Sequence, residues 1–229
     1  METVLEMVAD RGYIIFEAVK ALMEKEKLFW ADKAKGIAVE ETKGVPVIES
    51  TTPISDLMRT RPIVFHSKPD PEKGDKQDFI IVSFLSRGQN TQVGKTATDP
   101  FMKEIFQKSY KEAIAIVDGP LSTDSKDIIE KAMSQVLIQV FTVNELLFNV
   151  TKHVMVPKHE KIPDSQVPDL LRELKVTKSN LPGILYEDPV VRYYNWPPGS
   201  IIQVTRDIHY LEIPASIAIQ YRVVKPPKK

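Results

Sequence analysis

Short apolar runs alternate with charged, amphipathic segments through the first two thirds of the chain, and this alternation limits the possible folds more than any other feature. The runs have the length and β-branched content of buried strands. The predicted strands are 62–66, 79–85, 113–117 and 136–141, and the predicted helices between them are 100–110 and 122–133. Strands that alternate with helices of this length predict an α/β domain with at least partly parallel strands.

The N-terminal segment predicts a short helix over 3–9, which ends at Asp10-Arg11-Gly12-Tyr13 with Gly12 just past the helix end. A second helix is predicted over 16–33, where apolar residues recur at helical spacing and indicate a core-facing side. Residues 34–60 show no clear period and receive no assignment. Ser122 is the expected N-cap of the predicted helix 122–133. Pro100 is expected in the first turn of the predicted helix 100–110.

The composition changes near residue 149, beyond which prolines cluster. Eight of the 17 prolines fall between Pro157 and Pro214. Short helices are predicted there before two strands, an α+β order. Their ranges are 163–174 and 188–194 for the helices, and 200–205 and 216–224 for the strands. We therefore expect an N-terminal domain over 1–149 and a C-terminal domain over 150–229.

The charge balance argues against a free-standing nucleic-acid binder, because the 31 Lys and Arg equal the 31 Asp and Glu. Residues 150–229 carry 12 basic against 8 acidic residues, which leaves 19 against 23 for residues 1–149. The absence of cysteine excludes disulfides, Cys-ligated zinc and thiol nucleophiles, and it fits a reducing compartment. The sequence contains no apolar run of the ~18 residues that a membrane span needs and no secretory signal pattern.

A nucleotide-binding site is the strongest alternative. The strand 79–85 leads into Gly88 and then Gly94-Lys95-Thr96, and Asp118 follows the next apolar strand. A phosphate-binding loop needs four residues between its glycines, and this chain has five. We also expect the helix to begin near Pro100, too late to hold Lys95 and Thr96 in its first turn. Finally, the spacing to Asp118 looks short for the helix and connections between them.

Other catalytic patterns are weak. The histidines 66, 153, 159 and 209 include no pair at i, i+4 spacing, and Ser122 and Ser125 lack a nucleophile elbow. Asp70, Glu72 and Lys73 lie together in a proline-rich loop, whereas a nuclease needs them converging from adjoining strands. We therefore predict no catalytic residue, no cofactor and no metal.

Spaced residues near both ends resemble one family. They are His153-Val-Met-Val-Pro157-Lys158-His159, Leu170-Leu171-Arg172-Glu173, Leu181-Pro182, Asp188-Pro189-Val190-Val191-Arg192-Tyr193, Pro198-Gly199, Arg206, Tyr221-Arg222-Val223-Val224 and, near the N-terminus, Thr3-Val4, Glu6-Met7-Val8 and Asp10-Arg11-Gly12-Tyr13. Their order and spacing resemble the fifth subunit of the eukaryotic nuclear RNA polymerases. The C-terminal domain of that family corresponds to a small subunit of the archaeal RNA polymerases.

The resemblance implies a non-catalytic subunit of a nuclear DNA-dependent RNA polymerase, located in the nucleus, or in the nucleolus if it serves polymerase I. It implies an N-terminal three-layer jaw, related in fold to restriction nucleases without their active site, beside downstream double-stranded DNA. The jaw loop would be 119–125, with Ser122, Thr123 and Ser125 near DNA. An ordinary N-capped helix remains the alternative for this loop.

The resemblance also implies that residues 150–229 anchor the chain to the largest polymerase subunit, together with contacts to other subunits. The predicted interface residues are His159, Asp188, Pro189, Arg192, Tyr193, Arg206, Tyr221 and Arg222. His159 is expected to make a structural hydrogen bond, and Asp188 with Pro189 is expected to begin a short helix. Arg192 and Tyr193 either face the partner or brace their own domain.

One segment departs from the family. Residues 207–220 replace the family's Pro-Ser-Glu-Thr-Ala-Gly-Arg-Tyr segment with a more apolar stretch that is about four residues longer. With the altered jaw loop, this favours a divergent paralogue that serves one polymerase. An adaptor that works outside transcription is the remaining alternative.

Overall fold

The structure, a computed structural model, describes residues 2–15, 62–67, 78–107, 110–207 and 217–227. The helix predicted over 16–33, the segment 34–60, the loop with Asp70 to Lys73, and His209 lie outside the described residues. The chain divides into two compact units, Met1–Leu147 and Phe148–Lys229. Each described unit contains a four-stranded sheet and helices, so the fold is mixed α/β with two separate sheets.

The N-terminal unit has a sheet of order β1-β2-β3-β4. Its elements are α1 (Glu2–Asp10), β1 (Ile63–His66), β2 (Phe79–Leu85), α2 (Lys95–Gln107), β3 (Glu112–Val117), α3 (Thr123–Ala132) and β4 (Leu137–Thr142). β1 is antiparallel to β2, whereas β2, β3 and β4 are parallel. The predicted strands and their partly parallel arrangement are therefore confirmed. A short 3₁₀ turn, Val143–Leu146, follows β4.

One core of this unit forms where α2 and α3 pack on one face of the sheet. Ile81, Ala113 and Ile138 from three neighbouring strands contact Phe101 of α2 and Ile129 of α3 in one buried cluster. These strand residues lie side by side in the register. Because parallel strands carry helical crossovers on their faces, apolar runs at the strands and one apolar side on each helix suffice to build this core.

The predicted start of α2 is wrong, because the helix begins at Lys95 and Pro100 lies inside it. Gly94 supplies the first carbonyl, which accepts from the backbone N–H groups of Ala97 and Thr98. The buried Thr98 hydroxyl also donates to the Gly94 carbonyl at 3.1 Å. These bonds fix a first turn ahead of the proline. Pro100 therefore removes a single helical N–H bond and does not mark the helix start.

Gly12 ends α1 in a left-handed conformation, with φ +91°. The Gly12 N–H donates to the Ala9 carbonyl, and the Tyr13 N–H donates to the Val8 carbonyl. This pair of bonds is the Schellman arrangement, in which the residue after the helix adopts positive φ. The predicted position of Gly12 just past the helix end is confirmed.

We expect Gly12→Ala to lower the free energy of unfolding by about 1–2 kcal/mol, because a Cβ disfavours the left-handed region. A Cβ built at Gly12 would meet no atom within 4 Å, so backbone strain alone should produce the loss. Gly94→Ala is the matched control, because that site has equal space and lacks positive φ. Urea unfolding followed by circular dichroism measures both variants. Equal effects of the two substitutions would contradict this explanation.

Arg11 joins the end of α1 to the sheet through a buried ionic network. Its Nη1 lies 3.0 Å from Oε2 of Glu112 in β3, and the two side chains are only 2% and 13% exposed. Its Nη2 donates to Oε1 of Gln139 in β4 at 2.7 Å. Buried charges persist only when they are paired and hydrogen-bonded. The network therefore explains why a helix ending in Asp10-Arg11-Gly12-Tyr13 docks at this point of the sheet.

Tyr13 lies beside this network, and its backbone forms an antiparallel bridge with Ser67. Burial of the phenol, followed by the negative charges of Glu112 and Asp78, raises the pKa of Tyr13 far above its ordinary value of 10.0. The ionised phenolate is thus disfavoured in the folded state.

We expect the folded chain to lose stability as the pH rises above about 10. There the unfolded chain releases the Tyr13 proton while the folded chain retains it. Ionisation therefore lowers the free energy of the unfolded state and not that of the folded state. Tyr13→Phe should flatten this part of the pH profile relative to the unmodified chain. Urea midpoints at pH 8 to 11 measure the difference. Parallel profiles of the two proteins would contradict the assignment to Tyr13.

The C-terminal unit has a sheet of order β5-β7-β8-β6. Its elements are β5 (Lys158–Lys161), α4 (Val167–Glu173), β6 (Gly183–Leu185), α5 (Pro189–Tyr194), β7 (Ile201–Asp207) and β8 (Ile217–Lys225), with 3₁₀ turns at Val150–Lys152 and Lys178–Asn180. β7 is antiparallel to both β5 and β8, and β6 is parallel to β8. The sequence predicted the last two strands but not β5 and β6.

The two faces of this sheet bury separate cores. Ile202, Val204 and Val224 point to one face, where they pack with Val191 of α5 and with Trp196. Ile201 and Val223 point to the other face, where partly buried apolar residues of α4 cover them. Alternate residues of β7 thus serve opposite cores, as the pleat requires.

Candidate assembly interface

A groove of about 280 Å³ on the C-terminal unit collects five of the eight predicted interface residues. They are His159, Asp188, Pro189, Arg206 and Arg222. These residues come from β5, the start of α5, β7 and β8, so the groove exists only after the sheet has formed. Val156, Ile184 and Val204 supply an apolar floor.

His159 forms one wall of the groove. It lies in β5 opposite Val204, and its Nδ1 is 2.7 Å from the Pro157 carbonyl oxygen. A carbonyl only accepts, so Nδ1 carries the proton and donates this bond. The predicted structural hydrogen bond of His159 is confirmed. The ring also lines a neighbouring groove of about 330 Å³ with Lys158, Tyr194 and Trp196.

Asp188 and Pro189 form the second wall. The Asp188 Oδ1 accepts from the backbone N–H of Val190 at 2.9 Å and of Val191 at 3.5 Å, which makes Asp188 the N-cap of α5. Pro189 occupies the first helical position, where its missing N–H has no cost. The predicted helix start is confirmed. Because the Asp188 carboxylate is hydrogen-bonded to the first backbone N–H groups of α5, it fixes the start of this helix at the groove.

Tyr193 braces its own unit. It is buried, and its hydroxyl oxygen accepts from Nδ2 of Asn149 at 2.9 Å. Of the two interpretations left open by the sequence, the structure therefore favours the internal one for Tyr193. Arg192 is half-buried on the same short helix, and Tyr221 packs against the core that contains Ile201 and Val223. None of these three residues lines the groove.

Arg206 and Arg222 make the groove basic. Arg206 is exposed in β7, and Arg222 is half-buried in β8. The Nε and Nη2 atoms of Arg222 both donate to Oε1 of Gln220, at 3.1 and 3.0 Å. This contact holds the guanidinium in one orientation. Among the described residues, no carboxylate forms an ion pair with either arginine.

Exposed apolar side chains in the segment 148–155, one of which lines the groove, were missed by the sequence prediction. Met155 is 80% exposed and lines the groove, and its neighbour Val154 is also exposed. Phe148 is exposed as well and lies 6.0 Å from the His153 ring, centroid to centroid. Adjacent apolar residues in a short turn segment, between the polar runs 151–153 and 158–161, were the available signal. Such exposed groups at a groove are typical of a protein-binding surface.

The predicted DNA-proximal residues have unequal access. Ser122 is the N-cap of α3, as predicted, and its oxygen accepts from the backbone N–H of Ser125. Ser125 is fully buried, and its hydroxyl donates to the Val93 carbonyl at 3.1 Å. Ser125 therefore cannot offer its hydroxyl to DNA, which corrects that expectation. Thr123 is exposed and Ser122 is half-buried.

The loop 86–94 does not form a phosphate cradle, although two of the sequence arguments against it are wrong. Lys95 and Thr96 begin α2, and the segment before Asp118 has room for a 13-residue helix and a strand. The geometry supplies a better argument. Val93 is buried and forms a parallel bridge with Leu121, which ties the loop to the neighbouring connection.

The Asp118 carboxylate is hydrogen-bonded within the loop. Its carboxylate accepts from the Ser86 hydroxyl at 2.7 Å and from the Arg87 backbone N–H at 2.8 Å. Partial burial opposes ionisation, but these hydrogen bonds prevail and hold the pKa of Asp118 below its ordinary value. The carboxylate thus closes the loop through these two hydrogen bonds.

The described residues include no group of three or more His, Asp or Glu that could hold a metal ion. Within the same part of the chain, no helix has the length and apolar character needed to cross a membrane.

Comparison with known proteins identifies the C-terminal unit. Residues 148–224 match the family described as RNA polymerase Rpb5, C-terminal domain. The "DNA-directed RNA polymerases I, II, and III subunit RPABC1" of Caenorhabditis briggsae is 27% identical over 205 residues, which cover 90% of this chain and 86% of the relative. The subunit of the same name from Dictyostelium discoideum is 28% identical over 137 residues, which cover 59% of this chain and 68% of the relative. The "DNA-directed RNA polymerases IV and V subunit 5B" of Arabidopsis thaliana is 37% identical over 68 residues, or 30% of this chain and 31% of the relative.

The C-terminal unit is thus a domain of the kind found in subunits of multisubunit RNA polymerases. Residues 148–224 match the Rpb5 C-terminal domain family, and the chain as a whole is a divergent relative of the RPABC1 subunits named above.

Proposed function

We propose that this chain is a non-catalytic subunit of a nuclear DNA-dependent RNA polymerase and joins the complex through the groove of its C-terminal unit. The observation that carries the proposal is the coincidence of the Rpb5 family match with a basic groove that has exposed Met155 at its mouth. Apolar and arginine side chains at a concave site are typical of interface anchors. The partner is the largest polymerase subunit.

The N-terminal unit would act as a jaw of restriction-nuclease type beside downstream DNA. Thr123, Ser122 and the backbone N–H groups that begin α3 would lie near a phosphate. The excess of four acidic residues in 1–149 predicts that this contact is weak and forms only within the complex. Polymerisation would belong to the large subunits.

The chain would serve one polymerase class rather than three. The altered segment 207–220 supports this specialisation. So does the existence of a relative named for polymerases IV and V beside relatives named for polymerases I, II and III. Its location would be the nucleus, and the nucleolus if the class is polymerase I.

Purification of the endogenously tagged chain at moderate salt tests the proposal, with partners identified by mass spectrometry. Recovery of the two largest subunits of one polymerase class is expected. Recovery from all three classes would overturn the specialisation and leave a shared subunit. A complex without any large polymerase subunit would overturn the proposed function and favour the adaptor.

A further inference from the structure

The hairpin formed by β7 and β8 extends past the strands that flank it. β8 pairs with β7 from Ile217 to Val223, but β6 covers only Val223 to Lys225 on the other side. On the β7 side, β5 ends its pairing at Thr205. Among the described residues, no strand pairs with the outer edge of residues 217–222. We call this part of β8 the open edge.

The hydrogen-bond pattern shows which backbone groups the open edge presents. The Val224 N–H donates inward to the Ser200 carbonyl, and the Val223 N–H donates outward to the Pro182 carbonyl. Because the direction alternates along an antiparallel strand, even-numbered residues of β8 face β7. The N–H and C=O groups of Ile217, Ile219 and Tyr221 therefore face away from β7, in the arrangement that accepts an added strand.

Apolar and basic side chains along the open edge lie on opposite faces of the sheet. Ile217 and Ile219 are 61% and 55% exposed on one face of the sheet. Arg206 and Arg222 lie on the opposite face, flanking Ala218 and Gln220, because opposed residues of the hairpin share a face. A strand added here would meet apolar groups on one side and guanidinium groups on the other.

We propose that the open edge binds an extended segment of a partner polymerase subunit by strand addition, and that apolar and acidic residues alternate in this segment. This inference rests on the proposed function and extends it. Backbone hydrogen bonds to Ile219 and Tyr221 provide affinity. The apolar residues of the segment cover Ile217 and Ile219, and its carboxylates pair with Arg206 and Arg222.

The two arginines make the open edge continuous with the groove, because both residues line it. The edge also begins inside the segment 207–220, where the sequence departs from the family. Strand addition there would give this chain a contact that relatives with the ordinary segment lack, which supplies a physical basis for choosing one polymerase class.

Ile219→Pro tests strand addition in the full-length tagged chain. Proline at this position removes an outward N–H and leaves the β7 ladder intact. Ile219→Val is the matched control, since it keeps the N–H and a β-branched apolar side chain. We expect Ile219→Pro to reduce recovery of the two largest polymerase subunits at least fivefold relative to Ile219→Val after a high-salt wash. Equal thermal midpoints of the two purified variants would show that the fold is intact.

Photo-crosslinking identifies the occupant. With p-benzoylphenylalanine in place of Ile217, irradiation of the native complex should link this position to a partner segment of alternating apolar and acidic residues. Links confined to this chain or to a second copy of it would overturn the inference. Equal recovery with Ile219→Pro and Ile219→Val would overturn it too, while leaving the proposed function intact. Failure of the unmodified chain to recover any polymerase subunit would instead overturn the proposed function, and this inference with it.

Discussion

Replacement of Arg11 by methionine is expected to lower the free energy of unfolding by about 3–5 kcal/mol, the usual loss when one partner of a buried ion pair is removed. The substitution leaves the buried Glu112 carboxylate without its nearest cation and leaves Gln139 Oε1 without this donor. Since small domains unfold with only about 5–15 kcal/mol, such a loss is large. Urea unfolding followed by circular dichroism measures it.

Two further variants separate the pair from its surroundings. Arg11→Met combined with Glu112→Leu should recover most of the loss, because no uncompensated charge then remains buried. Arg172→Met removes an exposed pair, in which Nη1 lies 3.0 Å from Oδ1 of Asp169, and should cost less than about 1 kcal/mol. A small loss for Arg11→Met alone would show that water reaches Glu112 and that the network does not anchor α1.

Met155→Glu should reduce recovery of the largest polymerase subunit at least tenfold in the tagged-chain purification. Met155 is 80% exposed at the groove mouth, so the fold should tolerate the change. In the proposed complex this side chain becomes buried, and replacing its apolar contacts by a carboxylate adds a desolvation penalty. A tenfold loss corresponds to about 1.4 kcal/mol of binding free energy, a modest value for an interface anchor.

Met133→Glu is the control for this prediction. Met133 is also exposed, but it lies at the end of α3 in the N-terminal unit. Recovery with this variant should equal that of the unmodified chain. Equal recovery with Met155→Glu would place the interface outside the groove, and a similar loss for both variants would indicate a general effect of added charge.

Local patterns predicted much of the fold correctly. The strand Phe79–Leu85 has its predicted bounds, Gly12 lies just past α1, and Ser122 caps α3. Each of these features depends on residues within one turn or one strand. The predicted start of α2 was wrong because it depends on a contact between residues that are distant in the sequence. Thr98, whose hydroxyl oxygen also lies 3.1 Å from that of Ser125 in α3, helps to fix the first turn of α2 through a contact 27 residues away in the sequence.

The candidate site was predicted only as a set of residues. The family resemblance named His159, Asp188, Pro189, Arg206 and Arg222, which the groove brings together. It also named Tyr193, whose burial gives it an internal role, and Ser125, whose hydroxyl is enclosed. Burial depends on what packs against a side chain from distant segments, so motif position alone could not distinguish these cases.

By itself, the sequence determined most of the element types, the caps at Gly12, Ser122 and Asp188, the change in character near residue 149 and the kinship with polymerase subunits, because periodicity, capping and motif spacing are local properties of the chain. Only the tertiary structure decided that the polar run Lys158–Lys161 is a strand, since its ladder with β7 outweighs its weak propensity. It likewise decided where the groove and the open edge lie, because both depend on where neighbouring strands stop pairing.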